Sequence, residues 1–182
     1  MAYSVTPAAA PPAKLDSVAT QTLISIEEYL RTAYEPDAEY VDGLIVERSM
    51  PETPHSAVQV RLVQLFTPLS RDRNLHLMTE LRMRISPSCI RIPDFAVFEE
   101  KPAELVPSQP PMIVVEIVSR EDRHTDIVQK FEQYRSWAVP HIWLADPWQR
   151  QLAIYSESGL TAVRSFELAD LGLKISAADL FD

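Results

Sequence analysis

Met112-Ile113-Val114-Val115-Glu116-Ile117-Val118-Ser119 is the stretch on which the fold turns. Its near-continuous β-branched character marks a central strand covered on both faces. A carboxylate inside such a run is costly unless a metal, a cation or a proton accompanies it. Upstream, Arg91-Ile92-Pro93-Asp94-Phe95-Ala96-Val97-Phe98 carries a second acidic residue in the same setting, within a strand expected over Ile90 to Phe98. Side chains alternate along a strand, so Asp94 shares a face with Ala96 and Phe98, and Glu116 with Val114 and Val118. Antiparallel pairing would bring the two carboxylates together. Hard oxygen ligands without Cys or clustered His suit Mg²⁺ or Mn²⁺ rather than zinc.

The flanking segments supply the layers. Ser25 with Glu28 has the pattern of a capping box before a short helix ending near Ala33, and Asp42-Gly43 reads as a tight hairpin turn. Thr53 as N-cap with Pro54 at the first helical position opens a helix. Val58, Leu62, Leu65, Phe66 and Leu69 recur along it at helical spacing, and its end is expected near Thr67. Leu75 to Ile85 alternates as a half-exposed strand would. A Pro-rich loop from Glu99 to Pro111 leads to the central strand. A second helix begins near Asp122, places Ile127, Phe131, Tyr134 and Ala138 on one stripe, and stops before Pro140. His141 to Ala145 is a short buried strand, and Leu152 to Tyr155 with Leu160 to Phe166 forms a trailing hairpin around Ser158-Gly159. From residue 53 the expected order is α-β-β-β-α-β.

Composition bounds the rest. With 182 residues and 46% hydrophobic content the chain can bury one core. Residues 1–22, rich in Ala, Pro, Ser and Thr, read as a disordered tail, and residues 23–182 as one domain. Cys89 stands alone, which removes any disulfide framework and favours a reducing, cytoplasmic setting. No run approaches the roughly 20 apolar residues of a membrane span. The net charge of -9 disfavours nonspecific coating of nucleic acid. Yet Arg outnumbers Lys 13 to 4, and Arg is suited to bidentate phosphate contact. Three glycines, Gly43, Gly159 and Gly172, leave no phosphate-cradling loop, and no Gly-x-Ser-x-Gly elbow exists.

Taken together, Tyr40-Val41-Asp42-Gly43, Arg91-Ile92-Pro93-Asp94, Val115-Glu116-Ile117-Val118-Ser119, Asp126 with Lys130 and Tyr134, and Ile142-Trp143-Leu144-Ala145-Asp146-Pro147 resemble the Uma-type restriction endonucleases of the PD-(D/E)XK superfamily. The resemblance covers about residues 23 to 182. It implies an α/β restriction-endonuclease-like core, a central mixed sheet flanked by helices, with an N-terminal helix and hairpin and a C-terminal hairpin. It further implies Mg²⁺- or Mn²⁺-dependent hydrolysis of DNA phosphodiesters, with Asp94 and Glu116 as ligands and the Ile117 carbonyl as a third. An enzyme cutting both strands is expected to work as a homodimer. One departure is visible: the signature lysine belongs two residues after the acidic residue, where this chain has Val118.

Lys130 is the replacement candidate, since it shares a helical face with Asp126 and Tyr134. Its plainer reading is an i,i+4 partner of Asp126. For Glu116 the plainer reading is a buried ion pair with Arg91 or Lys130. Glu39 and His55 flank the first core helix and are secondary candidates, as is Glu80 with its neighbours Arg82 and Arg84. Trp137, Trp143 and Trp148 read as packing. Two other functions remain open: a nuclease-fold module that binds DNA or protein without catalysis, and a metal-dependent phosphoesterase acting on a small nucleotide.

Overall fold

The computed structural model describes residues 23–182; the expected disordered tail, residues 1–22, lies outside the described residues. In chain order the elements are α1 (Ile26–Arg31), β1 (Ala38–Val41), β2 (Leu44–Glu47), α2 (Thr53–Arg73), β3 (His76–Met78), β4 (Met83–Ser86), β5 (Cys89–Arg91) and β6 (Phe95–Phe98). They continue with β7 (Ile113–Ile117), α3 (His124–Ser136), β8 (His141–Asp146), β9 (Gln151–Ser156), β10 (Gly159–Val163), β11 (Ser165–Leu168), β12 (Leu173–Ser176) and α4 (Ala177–Phe181).

A six-stranded mixed sheet, ordered β10-β9-β8-β7-β6-β3, forms the centre. Only β7 and β8 run parallel, joined by α3, and the other neighbours are antiparallel. Its own elements therefore follow α2-β3-β6-β7-α3-β8, the expected order. A four-stranded sheet, β2-β1-β5-β4, stands beside it. Alternation along β7 assigns the two faces. Ile113, Val115 and Ile117 pack under α2 and α4 with Phe66, Trp143 and Phe166, whereas Val114 meets α3 through Phe131 and Tyr134. Trp143 and Phe166 stack with centroids 4.4 Å apart, so Trp143 is core, as expected.

Several expected elements differ, and Thr53 is the first residue of α2, with Glu52 rather than Thr53 at the N-cap. The strand over Ile90 to Phe98 is two strands. Pro93 has no N–H for a ladder, and at Ile92-Pro93-Asp94 the chain leaves the small sheet and enters the large one. Leu75 to Ile85 likewise divides into β3, paired with β6, and β4, paired with β5. The division falls near Glu80, whose φ is 52°. The first core helix passes its expected end at Thr67 and runs through Pro68 to Arg73. Proline costs that turn a bond, but Phe66 and Leu69 keep it packed on the sheet.

The Asp42-Gly43 turn has φ of 50° and 91°, the left-handed pair that a two-residue hairpin needs. The trailing hairpin is β9–β10, but it belongs to the central sheet. Phe166 lies beyond it in a separate β11–β12 pair that precedes α4, and neither β12 nor α4 was expected.

Candidate active site

Asp94 lies at the seam between the sheets, immediately before β6. The β6–β7 register pairs Phe95 with Val115 and Ala96 with Val114. One step further the same register sets Asp94 opposite Glu116. Both are buried, with 3% and 7% relative exposure. They border a cavity of about 470 Å³ whose wall also includes Glu39, Arg48, His55 and Lys130.

Every oxygen of the two carboxylates already has a protein partner. Asp94 Oδ2 accepts the Ile117 N–H at 2.7 Å. Asp94 Oδ1 accepts from Arg48 Nη2 at 2.7 Å and lies 3.2 Å from His55 Nε2. Glu116 Oε1 accepts the Tyr134 hydroxyl at 2.6 Å, and Oε2 accepts from Lys130 Nζ at 3.2 Å. Lys130 also lies 3.3 Å from Glu39 Oε1. Glu39, only 2% exposed, accepts from Arg91 Nη1 at 2.6 Å and from the Ile92 N–H at 2.9 Å. Arg91 in turn donates to Gln133 Oε1 at 2.7 Å.

The two carboxylates differ electrostatically. Burial works to raise Asp94, but the His55 hydrogen bond and the charges of His55 and Arg48 outweigh it, and its carboxyl is held below the usual range. Burial pushes Glu116 up to about 7 against the pull of Lys130, with the nearby charges of Asp94 and Glu39 adding to the rise. Burial opposes the charge on Lys130, yet Glu116 and Glu39 hold its ammonium above its ordinary value. Glu39, despite burial, is lowered by Lys130 and Arg91.

Asp94 with His55, and Glu116 with Lys130, Tyr134 and Glu39, thus form two hydrogen-bonded clusters beside one cavity. Lys130 does not pair with Asp126 but turns inward to Glu116 and Glu39, so the plainer reading of Glu116, a buried ion pair with Lys130, is present in the structure. Asp126 stays exposed at the cavity rim, with Thr125 Oγ1 3.1 Å from its carboxylate. Glu80 is also at the rim, 3.4 Å from Gln59 Nε2, while the same nitrogen donates to the Asp94 carbonyl at 2.9 Å. Arg82 points away, toward Asp37 and the ring of Tyr29.

Arg48, Gln59 and Gln133 carry parts of these clusters and were not among the candidates, and Arg91, weighed as a partner of Glu116, pairs with Glu39 instead. Gln59 follows His55 by one helical turn, so its placement is readable from spacing. Arg48 sits in the connection after β2, where no periodicity announces it.

Among the described residues no group of three or more His, Cys, Asp and Glu side chains converges as a ready metal cluster. The donor chemistry still fits a hard divalent cation: two carboxylates face one cavity, and Glu116 retains an uncompensated desolvation that added positive charge would relieve. The Ile117 main chain is held against Asp94 by its N–H, which keeps that backbone at the site.

The family profile described as "Uma2: Putative restriction endonuclease" matches residues 26–176. The chain belongs to the Uma2 family. No curated protein matches it. Among solved structures, a protein described as a putative nuclease belonging to DUF820, from Anabaena variabilis, shares the fold with a TM-score of 0.78. The two are 23% identical, over 87% of this chain and 97% of that one. No helix among the described residues of this Uma2 chain is long and apolar enough to cross a membrane.

Proposed function

We propose that this Uma2 chain is a divalent-metal-dependent endonuclease that hydrolyses DNA phosphodiester bonds. The observation that carries the reading is the buried, register-opposed pair Asp94 and Glu116 beside a cavity, with Lys130 reaching Glu116 from α3. Family membership and fold support the same reading. Asp94, Glu116 and the Ile117 carbonyl would hold Mg²⁺ or Mn²⁺. That ion would acidify a water and offset charge on the phosphate.

The chain's own groups do the rest. Lys130 supplies from α3 the positive charge that Val118, just after β7, cannot supply, and it faces the phosphate as charge develops there. Glu39 positions Lys130 from the opposite side. Tyr134 fixes Glu116 through Oε1, leaving that carboxylate's orientation independent of Lys130. Asp126 and Glu80 remain at the rim, where a backbone or base would pass. Cutting both strands calls for two such sites, so the proposal includes a homodimer, and a monomeric elution profile at working concentration counts against that part.

Nicking of supercoiled plasmid in Mn²⁺ tests the reading. Wild type should cut, Asp94→Asn should not, and Lys130→Met should lose about 10²–10³-fold in rate, as expected for removing one transition-state electrostatic contact. Full activity in Lys130→Met removes its role, and full activity in Asp94→Asn removes the site.

A second reading has one specific support: both Asp94 oxygens are already engaged by protein groups, as they would be in a binding module that has given up catalysis. Such a module would bind nucleic acid equally with and without divalent cation.

A further inference from the structure

We propose that Arg48 is a displaceable internal cation. It neutralises Asp94 in the metal-free protein and turns to the substrate phosphate when a divalent ion takes that oxygen. The inference rests on the metal-dependent reading above and adds a residue and an order of events to it.

The pairing of charges singles Arg48 out. Arg91 is matched to Glu39, and Lys130 is shared between Glu39 and Glu116. Asp94 Oδ1 instead carries two basic groups, Arg48 at 2.7 Å and His55 at 3.2 Å. Its orientation does not need both, because the Ile117 N–H holds Oδ2 and His55 remains on Oδ1. A divalent ion at that oxygen would sit against the guanidinium, and like charges at such separation repel. Arg48 is the group able to leave. Lys130 is clamped between two acids, whereas Asp94 is the one hydrogen-bond acceptor of the Arg48 side chain among the described residues.

Location agrees. Arg48 follows β2 in an irregular connection, its N–H bonded to the Asp37 carbonyl at 3.1 Å, so the backbone is anchored while the side chain lies along the cavity wall. Rotation about side-chain torsions suffices to carry the guanidinium into the cavity. A guanidinium is suited to that destination, since its planar fork matches two phosphate oxygens. The rim holds Glu47, Glu80, Glu121, Asp122 and Asp126, which repel a phosphate backbone, so a cation released inside the cavity has a distinct task.

Two binding measurements on the full chain test the proposal: calorimetric titration with Mn²⁺ alone, and anisotropy of a labelled duplex in Ca²⁺. Arg48→Gln should bind Mn²⁺ about tenfold tighter than wild type, and the duplex about tenfold weaker, the scale of one charged hydrogen bond. Asp94→Asn should lose Mn²⁺ binding. An ion pair that serves only to hold the fold together would not move the two affinities in opposite directions. If Arg48→Gln does not fold, Arg48→Met keeps the packing of the stem and carries the same pair of measurements. Unchanged or weaker Mn²⁺ binding in the Arg48 variant, with binding lost in Asp94→Asn, overturns the Arg48 role alone. No Mn²⁺ binding by any of the proteins, with or without duplex, overturns the metal-dependent reading as well.

Discussion

The two faces of β7 answer the same burial with opposite chemistry. Toward α2 and α4, Ile113, Val115 and Ile117 meet Phe66, Trp143 and Phe166 in a layer closed by packing alone. Toward α3, Val114 is followed by Glu116, whose carboxylate is equally removed from water but is matched by Tyr134 and Lys130. The first face stabilises the fold. The second holds a carboxyl that burial raises to about 7, partnered by a lysine and a tyrosine beside a cavity. Neighbouring positions on one strand therefore carry an apolar core and a buried polar cluster, and the proposed function assigns the chemistry to the second.

Substitutions that act on one face only should sharpen that separation. The largest effect is expected from Trp143→Ala. Trp143 is 3% exposed and stacks on Phe166, so its loss should destabilise the protein by about 3–5 kcal/mol in denaturant unfolding, while cleavage per folded molecule stays unchanged. Tyr134→Phe comes next. Removing its hydroxyl leaves Glu116 Oε1 without its donor, at a cost of about 1–3 kcal/mol, and should raise the Glu116 carboxyl further. A carboxyl-resolved NMR titration of Glu116 would detect the rise, and an unchanged titration would break the link between Tyr134 and that carboxylate.

The smallest effect lies away from both faces, at the end of α3. There Ala138 has φ of 68°, its N–H bonds to the Arg135 carbonyl, and the Val139 N–H bonds to the Tyr134 carbonyl. This is a Schellman ending with a residue other than glycine at the left-handed position. Ala138→Gly should stabilise by about 1 kcal/mol in the same unfolding experiment without altering cleavage.

Much of this arrangement was legible because strands and helices announce their faces. The run around Glu116 marked a strand covered on both sides, and the spacing of Asp126, Lys130 and Tyr134 marked one helical face. Helical spacing groups Lys130 with Tyr134, and the family resemblance connects that face with Glu116. Pairing between distant segments was less readable. Ile90 to Phe98 looks continuous, because alternation does not reveal that Pro93 moves the chain from one sheet to another. The expected end of α2 near Thr67 falls short of Arg73 because the packing that carries the helix past Pro68 is tertiary. Arg48 was invisible for the same reason: a single arginine in an irregular connection has no period, and only the fold aims it at Asp94. The inward turn of Lys130, away from Asp126, likewise follows from the two acids awaiting it across the cavity.

The most direct test compares Val115→Ala with Glu116→Gln, adjacent residues on opposite faces of β7, by measuring Mn²⁺-dependent cleavage per folded molecule alongside unfolding free energy. Val115 is fully buried, and its truncation should cost about 2 kcal/mol with cleavage retained. Glu116→Gln should keep a stability near wild type and lose cleavage. Full cleavage by Glu116→Gln, or loss of cleavage by a folded Val115→Ala, would contradict the division of labour between the two faces.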